Sequence, residues 1–145
     1  MNEQYDMVRD FMRTFGQTVP DNAALPNVEV AHFRRDIINE EAEELLKSTD
    51  LVEYYDAILD LIYVVLGAAA AAGISAEALS AGFAEVHRSN MSKLWTRDEI
   101  DEGVPVDARV NRVGDRFIVR RQDGKVLKSP SYSPARLTPI LWRNA

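Results

Sequence analysis

Four glutamates stand within five residues, Glu40, Glu41, Glu43 and Glu44, and Glu53, Asp56 and Asp60 follow in an otherwise apolar run. Ionised carboxylates in apolar surroundings cost on the order of several kcal/mol each unless they are paired or bound to metal. The only basic side chains close to them in the chain are Arg34, Arg35 and Lys47, too few to neutralise the group. Hard oxygen ligands without a thiol or imidazole among them suit Mg²⁺, with Mn²⁺ as the alternative ion.

Helical phase ranks these acids. At about 100° per residue, Ile37, Glu41, Glu44 and Leu45 share one sector, and Glu40 and Glu43 turn towards the opposite side. Glu53, Asp56 and Asp60, at i, i+3 and i+7, fall within roughly 60° of one another. Asp60 is the only charge in the run from Ala57 to Leu66, which is apolar nearly all round and predicts a buried helix. A ferritin-like di-iron centre would need Glu-x-x-His pairs; neither His32 nor His87 stands three residues after a carboxylate of these acidic faces, and both read as ordinary packing or surface residues.

Four helices must position these groups. The first is expected from about Gln4 to Phe15, with Tyr5, Val8, Phe11, Met12 and Phe15 as its apolar stripe and Gly16 at its end. The second runs from Val28 to Lys47. After the turn Ser48-Thr49-Asp50, the third continues to about Ala72, with Gly73 as its C-terminal stop. Such a short connection makes the two antiparallel neighbours, so that their acidic faces meet. Ser75 caps a fourth helix reaching the segment Arg88 to Lys93. Beyond Trp95 the pattern changes. Val104-Pro105-Val106 and Arg116-Phe117-Ile118-Val119 read as short strands, and Asn111 to Asp115 and Gln122 to Lys125 as turns. A short helix is expected near Arg136 to Leu141. The expected fold is therefore all-α, a four-helix body over residues 1–95 carrying a small β-hairpin appendage in a basic extension, 96–145, within one domain.

At 145 residues and 46 % hydrophobic content the chain can bury a core of its own. It has no cysteine, which excludes disulfides, thiolate zinc sites and a cysteine nucleophile. Met1 to Asp10 is charged and lacks the apolar core of a signal peptide. The longest apolar stretch, Leu61 to Ile74, is 14 residues, short of the ~20 that span a bilayer. A soluble cytoplasmic protein without membrane contact is expected. Residues 1–103 hold 8 Lys/Arg and 20 Asp/Glu, for −12, and residues 104–145 hold 9 and 3, for +6. An acidic body with a basic tail suits a metal site whose anionic ligand is clamped by the tail. The overall charge of −6 argues against nucleic acid as partner.

Glu41-x-x-Glu44, the run Asp56 to Gly67, the segment Phe83 to Lys93, and Asp123 to Lys128 with Tyr132 and Pro134 together resemble the all-α nucleoside triphosphate pyrophosphohydrolase superfamily. The likeness is to its MazG-like branch, related to dimeric dUTPases and phosphoribosyl-ATP pyrophosphohydrolases, and Trp95 to Arg121 looks like an insertion. The resemblance implies Mg²⁺-dependent hydrolysis of a (deoxy)nucleoside triphosphate to the monophosphate and pyrophosphate, in nucleotide-pool house-cleaning or a dUTPase-like role. A phosphoribosyl-ATP pyrophosphohydrolase-like activity, another metal phosphohydrolase, or a nucleotide-binding or helical interaction module without turnover are the alternatives. Glu41, Glu44, Asp56 and Asp60 would then be metal ligands, and Glu41 or Glu40 would orient or deprotonate the attacking water. Lys93, Lys125, Lys128 and Arg88 would contact phosphates, and Asn90 a base edge or sugar. A homodimer or homotetramer is implied as well. In one respect the chain departs from the superfamily's ExxE…ExxD pattern. If Asp60 is the final Asp, the preceding Glu position is Ala57, and Asp56 one turn earlier supplies the carboxylate; the alternative makes Glu53-x-x-Asp56 the second motif.

Overall fold

The computed structural model describes residues 2–142. Helices α1 (Asn2–Thr14), α2 (Val28–Lys47), α3 (Leu51–Ala71) and α4 (Ala76–Met91) come first in the chain. A short α5 (Arg97–Glu102), the strands β1 (Arg109–Val113) and β2 (Arg116–Arg120), and α6 (Thr138–Leu141) follow. This is the all-α body with a C-terminal hairpin that the sequence predicts. The residues group into two compact units, one running to Ala81 and taking in Leu141, the other Gly82–Ile140.

The core of the first unit follows from helical spacing. Tyr5, Val8 and Met12, at i, i+3 and i+7 of α1, are each buried and meet Leu66, Ala70 and Ala71 of α3. The Tyr5 hydroxyl donates to the Ile74 carbonyl, which satisfies its one polar atom inside that core. Phe11 and Phe15, expected on the same stripe, remain 40 % and 68 % exposed; they lie against each other, and Phe11 meets Tyr63 edge-on at 5.7 Å. Helix α2 begins at Asn27, whose side chain accepts from the Val30 N–H at 2.9 Å. Its far end meets the Ser48–Asp50 turn and α3 returns along it.

Helix α3 stops where Gly73 takes the left-handed conformation, φ +65°. Glycine is required there twice over, because a Cβ would also lie 2.2 Å from the Asn22 carbonyl oxygen. The close approach lets the Ala24 N–H donate to the Ala72 carbonyl at 3.0 Å, tying the α1–α2 connection to the end of α3. One expectation fails on this helix. It is not buried all round: Ala57, Leu66, Gly67, Ala70 and Ala71 are its buried residues, and Leu59, Ile62 and Val65 are each close to half exposed. Among the described residues α1 and α2 are the helices that pack closely on it, which leaves an apolar flank uncovered. By length and composition α3 could also cross a bilayer, although its carboxylates are those of a helix that packs against protein.

The second unit has its own small core. Trp95, Phe117 and Val119 are buried together, with Ile100, Val104, Ala108 and Leu127 against them. The strands pair antiparallel from Arg109↔Arg120 to Val113↔Arg116, and Gly114, at φ +62°, makes the two-residue turn with Asp115. Two sequence expectations are corrected here. Val104-Pro105-Val106 is not a strand, Pro105 having no N–H to offer a ladder, and Asn111 to Val113 belong to β1 rather than to a turn. Helix α5, unanticipated, starts with a capping box: Thr96 accepts from the Glu99 N–H at 3.2 Å and Glu99 from the Thr96 N–H at 2.7 Å.

Candidate active site

The acidic face is built at the α2–α3 turn. Asp50 accepts from the N–H groups of Val52 and Glu53 at 2.8 and 2.9 Å and so caps α3. Glu53 reaches back to the Thr49 N–H at 2.8 Å and its hydroxyl at 2.9 Å. Its carboxylate thereby bonds across the turn. Asp56 lines a cleft of about 220 Å³ with Glu44, Lys47 and the buried Ala57. One turn further along α3, Asp60 shares a cavity of about 380 Å³ with Glu41, and Arg34, Phe33, Phe11 and Tyr63 also line it. Glu41 and Asp60 thus line one cavity and Glu44 and Asp56 a cleft that Glu53 lines too, while Glu41 also feels the charges of Glu44 and Asp56.

Glu41 is half-buried, and Glu40, Glu44, Asp56 and Asp60 are exposed. Burial first, and then the charges of Asp60, Glu44, Glu40 and Asp56, raise the Glu41 carboxyl above the usual carboxylate range. Nearby cations do not relieve this crowding. Lys47 pairs with Glu43 at 3.2 Å, Arg35 with its neighbour Asp36 at 2.7 Å, and Arg34 donates to Gln17 at 2.5 Å. Among the described residues no Lys or Arg forms an ion pair with Glu41, Glu44, Asp56 or Asp60. Nor are three Asp, Glu or His side chains among them drawn tightly enough together to hold an ion as they stand. The donor set nonetheless fits a hard divalent cation: oxygen ligands only, one shared helix–helix face, and excess negative charge that such an ion would compensate.

The residues expected to touch substrate phosphates lie in the second unit. The Arg88 guanidinium forks onto Glu85 at 2.7 and 2.9 Å and also donates to the Ser133 and Pro134 carbonyls. It pulls the Glu85 carboxyl down to about 2 and fastens α4 to the Ser133–Arg136 segment, where the Arg136 N–H donates to the same carboxylate. Lys93 donates to the Asn90 side-chain carbonyl at 2.7 Å, and the Lys128 ammonium sits 4.5 Å from the Tyr132 ring centre. Lys125 lies in the turn shaped by Asp123, which accepts its backbone N–H.

Sequence reasoning counted Arg34 only as an insufficient counter-charge. The structure puts it in the wall of the Glu41–Asp60 cavity and of a neighbouring cavity of about 420 Å³ lined by Gln17, Pro20, Leu25 and Phe33. Its Nε is buried without an acceptor. Spacing gives no signal for this, because Gln17 and Gly67, the residues that place the guanidinium, are remote in the chain.

The family model described as phosphoribosyl-ATP pyrophosphohydrolase covers residues 8–90, taking in the buried part of α1 from Val8, all of α2 and α3, and α4 nearly to its end. No curated protein matches the chain. With the acidic α2–α3 pair inside a match spanning more than half its length, the chain belongs to the phosphoribosyl-ATP pyrophosphohydrolase family, within the MazG-like nucleoside triphosphate pyrophosphohydrolases.

Proposed function

We propose that this chain is a divalent-cation-dependent hydrolase that cleaves the α–β phosphoanhydride of a nucleotide 5′-triphosphate and releases pyrophosphate. The observation that carries the proposal is the acidic face of α2 and α3, four carboxylates in no ion pair among the described residues. Among candidate substrates, the family match favours a phosphoribosyl-ATP-like triphosphate ahead of a dUTPase-like or pool-cleansing role. Mg²⁺, or Mn²⁺ in its place, would be held by Glu41, Glu44, Asp56 and Asp60, and would neutralise phosphate charge and acidify a bound water. Glu41, on the shared face, would orient the attacking water and take its proton as the oxygen bonds to phosphorus. The bridging oxygen departs with the pyrophosphate.

The proposal extends to self-association. Leu59, Ile62 and Val65 form an exposed apolar stripe on α3, turned away from its carboxylates, and a second copy seated there would cover it.

Incubation with Mg²⁺ and a panel of phosphoribosyl-ATP, NTPs and dNTPs tests the reading. Monophosphate and pyrophosphate in equal amounts from one of them support it. Orthophosphate as the product, or no turnover on any member of the panel, sinks it.

A further inference from the structure

Arg34 is built into the carboxylate cavity in a way that ion pairing within the chain does not explain. It stands two turns before Glu41 on α2, in the same cavity wall as Glu41 and Asp60, yet makes no ion pair with either. A guanidinium carries five N–H donors. One is used, from Nη2 to the Gln17 side-chain carbonyl, and Nε is sealed from solvent with no acceptor. A buried donor left unmade is destabilising. Space for the group is made by Gly67 on α3, where a Cβ would come within 2.8 Å of Nη1 and 3.6 Å of Cζ. A fixed cation with unused donors, in a cavity that also holds the acidic pair, is the arrangement expected for an anion that spans both.

We propose that Arg34 is a substrate-binding residue that takes phosphate oxygens of the triphosphate, with Gln17 and Gly67 as the residues that position it. This rests on the reading above and extends it. The cation for the phosphate chain comes from inside the helical unit, from α2 itself. Planar, bidentate geometry suits phosphate oxygens, and a point-charge ammonium reproduces it only in part.

The test measures binding of inorganic pyrophosphate in the presence of Mg²⁺ by calorimetry, which needs no turnover. In Arg34→Gln the Kd should rise roughly tenfold to a hundredfold, the range for a lost charge-assisted contact. Arg34→Lys should recover part of that loss. Gly67→Ala, which displaces the guanidinium without removing it, should weaken binding while the thermal midpoint stays close to that of the parent protein. Competition by the parent nucleoside without phosphates should be unchanged in all three variants. Parent-like pyrophosphate affinity in a folded Arg34→Gln protein overturns the proposal, as does a parent protein that takes up no pyrophosphate. Weakened nucleoside competition with intact pyrophosphate binding overturns it as well, since Arg34 would then read the base. A chain that binds pyrophosphate through Arg34 but hydrolyses no nucleotide would refute the hydrolase reading and leave this one standing.

Discussion

Asp60 and Glu41 are the side chains on which turnover should depend most. Asp60→Asn keeps the size and removes the charge, so pyrophosphate release should fall at least about a hundredfold while far-UV circular dichroism is unchanged; undiminished release would remove Asp60 from the site. Phase along a single helix was enough to separate Glu41 from Glu40 and Glu43, because it depends on that helix alone. That Glu41 and Asp60 line one cavity and Glu44 and Asp56 another cleft depends on how two helices cross, and Arg34 matters through residues far from it in sequence. Neither was legible beforehand. The Glu85–Arg88 pair gives a pH signature of its own. The Glu85 carboxyl falls from its ordinary 4.5 to about 2, so its stabilising effect is complete above pH 4.5 and lost as the pH drops towards 2. The gap in thermal midpoint between the parent protein and Glu85→Gln should therefore be full at neutral pH and close across that acidic window. A gap that stays constant with pH would show that the charge of Glu85 is not what stabilises the segment.

At the level of elements, the strongest constraint is the end of α3. Gly73→Ala must fit a side chain into a left-handed residue and against the Asn22 carbonyl, an atom of the backbone that cannot swing aside. The expected loss is about 2 kcal/mol or more, read as a lower midpoint in denaturant titration; an unchanged midpoint would mean the α1–α2 connection is not held there. The four long helices were legible from their apolar spacing and from some of their ends: Asp50 and Ser75 before α3 and α4, Gly16 and Gly73 after α1 and α3. The hairpin was half legible. Its second strand alternates with Phe117 and Val119 facing inward, whereas Arg109 to Val113 is exposed along its whole length and shows no apolar alternation to be read. Helix α5 is only six residues, too short for periodicity, and only its capping box could have announced it.

For the molecule as a whole, the uncovered flank of α3 should govern assembly. Sedimentation should give a mass above the 16.3 kDa of one chain, and Ile62→Glu, which places a charge on that flank, should shift the species to the monomer. A parent protein that sediments as a monomer would refute self-association. The burial of α3 was misjudged from sequence for the same reason: an apolar run states that a surface wants cover, without saying which chain provides it. The second core also gives the protein a built-in reporter. Trp95 is buried in the cluster with Phe117 and Val119, whereas the helical signal in circular dichroism comes mainly from α1, α2 and α3, none of which carries a tryptophan. Trp142, the other tryptophan, is about half exposed, so the blue-shifted part of the indole emission follows the Trp95 unit and ellipticity chiefly the other. If each core melts on its own, the two spectroscopic transitions will separate along a denaturant series, and a single titration will give two stabilities.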